Sequence, residues 1–192
     1  SRDEVLAERV EIESQRERFD DLVILHGAEL NIGADGSIDY DDEFLEVFDF
    51  GVASIHSHFD LSAAEQTNRL LTAIAHRAVN VIGHPSGRKI GHRPGVEFDA
   101  PTVFSAAAET GTAIEINSHL HRLDLASPLI RRAMEVEGLM VAISTDAHHT
   151  SELANIRWGV AQARKGWVPV SRVLNSLPMA EFRAYIDRKR SS

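Results

Sequence analysis

Short apolar runs alternate with amphipathic stretches along this chain. Residues 22–25 (Leu-Val-Ile-Leu) form the first run and lead into Gly27, Ala28 and Glu29. Residues 48–55 are almost continuously apolar, as expected of a parallel strand covered on both faces, and lead into His56, Ser57 and His58. Runs at 79–82, 112–116 and 139–143 complete five predicted strands. The stretches between them carry helical periodicity and helix punctuation. Residues 3–19 are charge-rich with a thin apolar stripe (Val5, Val10, Ile12, Phe19), predicting an exposed helix, and 41–47 predict a short acidic helix after the Asp35-Gly36 turn. Ser62 with Glu65 three residues on is a capping-box pattern opening a helix over 63–78. Pro101 marks a helix start and Gly111 its stop; Ser127-Pro128 opens another that Gly138 ends. Thr150 or Ser151 caps a helix through Arg164 that Gly166 breaks, and short helices at 171–175 and 179–188 close the chain. No linker or low-complexity segment interrupts the pattern, so residues 1–192 are expected to form one α/β domain with a parallel sheet. In such folds chemistry sits at the carboxyl ends of the strands.

Those ends are where this sequence places its ligand-type side chains. The run at 139–143 delivers Asp146 and, two residues later, His148, so both can project from one strand end. Glu29 follows the first run, His56 and His58 the second, His84 the third in a rigid Gly-His-Pro turn, and Asn117, His119 and His121 the fourth. Imidazole and carboxylate together suit Zn²⁺, Mn²⁺ or Fe. We therefore expect Glu29, His56, His84, Asp146 and His148 to converge as metal ligands, His56 being favoured over His58 because the two alternate across the strand end. The bland readings are a capping or surface carboxylate at Glu29 and ordinary surface charge at Arg88, Lys89, Arg93 and Arg122. The functional reading makes Arg88 and Arg122 phosphate-binding guanidinium groups and Asn117 a hydrogen-bond donor to a phosphate oxygen. His58 or His148 would move a proton. His26 is expected to pack locally, His76 to lie on a helix surface, and His92 and His149 to touch substrate or nothing.

Composition narrows the chemistry. Of 192 residues, 43% are hydrophobic and 26% charged, as in an ordinary globular domain large enough to bury a core. The net charge of −9 argues against a broad basic grip on nucleic acid while leaving room for a local one. With no cysteine, disulfides, thiolate metal sites and cysteine nucleophiles are excluded. No apolar run approaches the ~18 residues of a membrane span, and the polar opening residues do not suggest a signal peptide, so a cytoplasmic location is expected.

Taken together, Gly27-Ala28-Glu29, Ala53 through Phe59, Gly83-His84-Pro85-Ser86-Gly87-Arg88, Glu115-Ile116-Asn117-Ser118, Arg122-Leu123-Asp124-Leu125 and Thr145-Asp146-Ala147-His148 resemble the PHP (polymerase and histidinol phosphatase) superfamily. Their order and spacing look most like the PHP domain at the carboxyl end of bacterial family X DNA polymerases. The resemblance implies a distorted (β/α)7 TIM-like barrel holding up to three divalent metals, Mn or Zn with Fe as a further candidate, and hydrolysing phosphate esters. It further implies a 3′–5′ exonuclease acting on DNA 3′ ends in repair, in the same polypeptide as a polymerase module. In that pattern Glu29 matches a carboxylate bridging two metals, His56 and His84 match ligands of one metal, and Asp146 and His148 match ligands of the other two. The family's opening His-x-His strand, its following histidine and its Thr-Asp-His strand end have no counterpart here, so the sequence is expected to lack the first two strands of the barrel. Two other functions stand beside the exonuclease: a histidinol-phosphate-type phosphatase of small esters, and a catalytically inactive scaffold domain.

Overall fold

A computed structural model describes residues 1–190. Helix α1 (Arg2–Arg16) precedes β1 (Gly27–Asn31), the single-turn helix α2 (Asp42–Leu45), β2 (Phe50–Ser54) and α3 (Ala63–Ala75). The chain continues through β3 (Val81–Gly83), α4 (Ala100–Thr110), β4 (Ala113–Asn117), α5 (Ser127–Met134) and β5 (Val141–Ser144). A 3-10 segment (Thr150–Asn155), α6 (Ile156–Lys165), two further 3-10 turns and α7 (Met179–Arg190) complete it. The five strands form one sheet in the order β1-β2-β3-β4-β5, every neighbouring pair parallel. This is an α/β fold compatible with a TIM-like arrangement.

Strand parity decides where the site lies. Successive side chains point to opposite faces. On the outer face Ala53, Ile82, Ile114, Ile116, Val141 and Ile143 pack with Leu70, Ala73 and Ile74 of α3 and Val103, Phe104 and Ala107 of α4 in the main core. The inner face is apolar only near the amino ends of the strands. There Val81, Ala113 and Ala142 meet Leu174, Tyr185 and Ile186, so α7 closes that end. Toward the carboxyl ends the same inward positions become Glu29, Asn31, Ser54, Gly83, Glu115, Asn117 and Ser144. Glycine at 83 is required by packing, because a Cβ there would lie 2.2 Å from the Ser54 hydroxyl oxygen.

Element ends follow local chemistry. Ser62 and Glu65 form the reciprocal capping box at α3, and Gly111 ends α4 in the left-handed conformation (φ 69°). Three expectations shift. The strand anticipated at 22–25 is displaced to Gly27–Asn31: Phe50 is the first residue of β2 to pair, and its partner is Gly27. Leu22 and Val23 stay exposed, and Glu29 is therefore the middle of β1 rather than residue beyond its end. The helix anticipated from Thr150 or Ser151 begins as a 3-10 segment capped by His149 and becomes α-helical only at Ile156. Helix α5 ends at Met134, before Gly138.

Candidate metal centre

Glu29, from the middle of β1, meets His56 and His84, which lie just past the carboxyl ends of β2 and β3, one ligand-type atom of each lying within 4.8 Å of the others. Both imidazoles aim Nε2 at one carboxylate oxygen: His84 at 2.9 Å and His56 at 3.3 Å from Oε1 of Glu29. The imidazoles of His56 and then His84 beside it hold the Glu29 carboxyl far below its ordinary value, against an opposing effect of burial. His84 is buried and adopts a positive φ of 27°, its turn being fixed by Pro85 and by a 2.5 Å hydrogen bond from its backbone N–H to Oε2 of Glu115. His56 is half-exposed, and its Nδ1 lies 2.7 Å from Oδ1 of Asn31.

The Asn31 contact fixes the state of His56. The Asn31 amide nitrogen donates to Asp39 at 2.7 Å, so its oxygen must be the atom that faces His56. His56 Nδ1 therefore carries a proton and donates it, which in the neutral ring leaves Nε2 as a bare lone pair pointed at a carboxylate oxygen. Two lone pairs at 3.3 Å repel unless a positive charge lies between them. A proton on His56 or a shared cation supplies it. Two imidazole nitrogens and a carboxylate oxygen, with an outer hydrogen bond orienting one ring, form a donor set that fits a first-row divalent metal.

A second polar layer continues from His84 across β4 to β5. Glu115 is buried on the inner face and accepts from the His84 N–H, from Nδ2 of Asn117 at 3.2 Å and from the Ser144 hydroxyl. Burial pushes its carboxyl up. Asn117 also donates to Oδ2 of Asp146 at 3.1 Å, and that oxygen accepts from Nε of Arg122 at 3.0 Å. Asp146 holds a positive φ of 53°. His148 is exposed and bonds through Nδ1 to the Asp146 carbonyl at 2.9 Å, leaving Nε2 bare in the neutral ring. Asp146 and His148 share this end of the sheet with the Glu29 group without belonging to it at ligand distance. They line instead a cavity of about 610 Å³, with Lys89, His92, His119, His121 and Arg122.

The remaining expected residues fall as follows. His58 is exposed with φ 53° and is tied to the fold by its carbonyl, which accepts from Gln66. Arg88 is committed to the backbone, donating to the carbonyls of Arg122 and Leu123, and Arg93 donates to the Gly87 carbonyl while lying over the Phe59 ring. Asn117 is wholly buried with both ends of its amide engaged, its oxygen accepting from the His119 N–H. His26 packs on Phe48, neither ring nitrogen having a hydrogen-bond partner among the described residues though Glu8 lies 3.8 Å from Nε2, and His76 reaches Asp42 at 3.1 Å. Sequence reasoning missed two contributors. Asn31 orients His56, and its signal is the i, i+2 spacing from Glu29 on one strand. Glu115 ties three strand ends together, and its signal is a carboxylate at an inward position of the otherwise apolar Ala-Ile-Glu-Ile run.

No family model matches the chain. It is 39% identical over 178 residues to the DNA polymerase/3′-5′ exonuclease PolX of Bacillus subtilis, a match covering 93% of this chain and 31% of that protein. It is 28% identical over 183 residues to a probable phosphatase of Caldanaerobacter subterraneus, covering 91% of this chain and 69% of the relative. A probable phosphatase of Shewanella sediminis is 28% identical over 169 residues, 66% of its length. The chain thus spans about a third of the PolX protein and about two thirds of the two phosphatases.

Proposed function

We propose that this chain is a PHP-type, metal-dependent phosphoesterase, and that its substrate is the 3′ end of DNA. The observation that carries the metal is the arrangement at Glu29: an oriented imidazole whose bare Nε2 faces a carboxylate oxygen 3.3 Å away, with a second imidazole on the same oxygen. Similarity to proteins named as an exonuclease and as phosphatases supports hydrolysis of phosphate esters. The closer likeness to PolX favours the exonuclease and a role in DNA repair beside a polymerase module. The five parallel strands fit the proposal of a (β/α)7 barrel, and Mn²⁺ or Zn²⁺, up to three ions, are the proposed cofactors.

Glu29, His56 and His84 would hold one ion, and Asp146 and His148 would contribute ligands to others. Such an ion supplies Lewis-acid stabilisation of the phosphoryl oxygens and a water acidic enough to attack near neutral pH. Asn31 keeps His56 in the ligand tautomer. Glu115 and Asn117 hold the His84 turn and the Asp146 carboxylate in fixed relation. His58 or His148 would move a proton, His148 only where its Nε2 is not itself a metal ligand, and Arg122 steadies Asp146.

The test measures Mn²⁺ and Zn²⁺ binding together with digestion of 3′-labelled single-stranded DNA and of a small phosphomonoester. Wild-type protein should bind metal and shorten DNA from the 3′ end, and Glu29→Gln and His84→Ala should lose both properties while remaining folded. Hydrolysis of the monoester alone would shift the reading to a small-molecule phosphatase. Undiminished activity in both variants would remove the site.

A further inference from the structure

The cavity beside Asp146 has a side that the proposed metal chemistry does not use. Lys89 and His92 come to it from the loop after β3, and His119, His121 and Arg122 from the loop after β4. This is not the set of cations that sequence alone favours. The guanidinium groups of Arg88 and Arg93 are spent on backbone carbonyls and on Phe59. The exposed Lys89 ammonium and the rings of His92 and His121 make no side-chain hydrogen bond among the described residues, and Nη1 of Arg122 is buried without a partner although its Nε holds Asp146.

His119 adds a donor whose state is readable. Its Nδ1 accepts the backbone N–H of His121 at 3.3 Å, so in the neutral ring the proton sits on Nε2. His148 has the opposite assignment, with Nδ1 donating to a carbonyl and Nε2 bare. One cavity therefore carries a bare-nitrogen, carboxylate side from the end of β5 and a donor side from the two loops. Both carboxylates near the donors are already engaged: Asp146 with Arg122 and Asn117, and Glu152 with the His148 N–H.

The imidazoles also form an aromatic surface. The His119 and His121 ring centroids are 5.5 Å apart and tilted by 38°, and His92 stands edge-on to His121 at 6.4 Å. A 610 Å³ cavity is of the size that takes a nucleotide rather than a lone phosphate. We infer that Lys89, His92, His119, His121 and Arg122 form a wall that holds single-stranded nucleic acid next to the proposed metal centre. Lys89 and His119 Nε2 donate to internucleotide phosphates, the Arg122 guanidinium adds its positive charge from behind, and a base lies on the imidazole rings. Single strands are recognised in this way elsewhere, by cationic grooves lined with aromatic platforms. The inference deepens the exonuclease reading and rests on it for the choice of nucleic acid over other phosphate-rich ligands.

The test is made on metal-free protein in EDTA, so that it is independent of catalysis. Anisotropy of a labelled single-stranded DNA decamer is followed over a range of salt concentrations for wild type, Lys89→Ala, His121→Ala and the conservative His119→Gln. Each lost phosphate contact should flatten the slope of log K against log salt by about 0.7, which is the signature expected of Lys89→Ala. Loss of the imidazole surface in His121→Ala should weaken binding about tenfold, in the range of single-base stacking. Lys89 and His121 are exposed, so folding is expected to survive, and circular dichroism checks it. Failure of wild type to bind, or variants that match its affinity and slope, would overturn the wall. Oligonucleotide binding lost in the variants, from a wild type that hydrolyses no phosphodiester with Mn²⁺, would keep the wall and remove the exonuclease. Hydrolysis by wild type with unchanged binding in the variants would do the reverse.

Discussion

Replacing Asn31 by alanine is the sharpest probe of how the metal centre is built, because it leaves every proposed ligand in the sequence and removes only a group that orients one of them. Asn31 acts on His56 through a single 2.7 Å contact between its amide oxygen and Nδ1. The variant leaves the backbone N–H of residue 31 bonded to Asp39 and deletes only an exposed side chain, so stability in the absence of metal should change by no more than ~0.5 kcal/mol. Without the acceptor, the His56 ring is free to rotate and to carry its proton on Nε2, the nitrogen that faces Glu29. Loss of such an outer hydrogen bond lowers metal affinity by roughly 10- to 100-fold, which corresponds to about 1.4–2.7 kcal/mol. The assay is titration with Mn²⁺ or Zn²⁺ against a competing chelator, with the His56 tautomer followed by nitrogen NMR. Asp39→Ala should give a smaller loss, since the Asn31 amide remains but is no longer held with its oxygen toward the ring. Wild-type affinity in Asn31→Ala, alongside lost binding in His84→Ala, would refute the orienting role. Equal affinity in all three proteins would refute the centre itself.

Two further predictions concern the scaffold. A Cβ on Gly51 would lie 2.0 Å from the Ala78 carbonyl oxygen, so Gly51→Ala must push β2 away from the start of β3. We expect a loss of about 3 kcal/mol in urea unfolding, the upper end of overpacking costs, and a loss below 1 kcal/mol would show that the backbone yields there. Lys189 is buried against the Ile74 carbonyl and the Thr112 hydroxyl, and burial lowers its amine from the ordinary 10.5 to about 8. Between those values the unfolded chain binds more protons than the folded one, so stability should rise with pH from about 8 to 10.5, by at most about 3 kcal/mol. Lys189→Met should remove that rise, and an unchanged slope in the variant would refute the assignment.

The legible parts of this chain are those set by strong local signals. Helix α3 lies within its predicted stretch because Ser62 and Glu65 satisfy its first N–H groups, and α4 ends at Gly111 because only glycine takes the left-handed turn there without strain. The grouping of Glu29 with His56 and His84 follows from three adjacent parallel strands ending near one another. What stayed illegible depends on register and on partners distant in sequence. The placement of Glu29 in mid-strand is decided by pairing with β2, which no local pattern encodes. Arg69 sits on the inward face of α3, almost fully buried, donating to the carbonyls of Gly33, Ser57 and Ile32; a charged residue in an amphipathic helix gives no hint of that. Arg88 likewise has the sequence of a substrate-binding cation and the geometry of a loop tie.

Proton placement separates two uses of histidine that composition cannot distinguish. His56 and His148 each donate through Nδ1 to an oxygen, of Asn31 and of the Asp146 backbone, and so in the neutral ring present a bare Nε2. His119 accepts at Nδ1 from a backbone N–H and so presents Nε2–H. The first kind can bind a cation or take a proton, and the second can bind an anion. Both kinds are assigned by neighbours one or two residues away or on the adjacent strand, which costs the fold little and fixes the chemistry of each ring before any ligand arrives. A phosphodiester brings anionic oxygens to donors and needs a Lewis acid and a base at the scissile bond. The strand-end face of this sheet offers those two sets of groups side by side, joined through Asn117, Asp146 and Arg122.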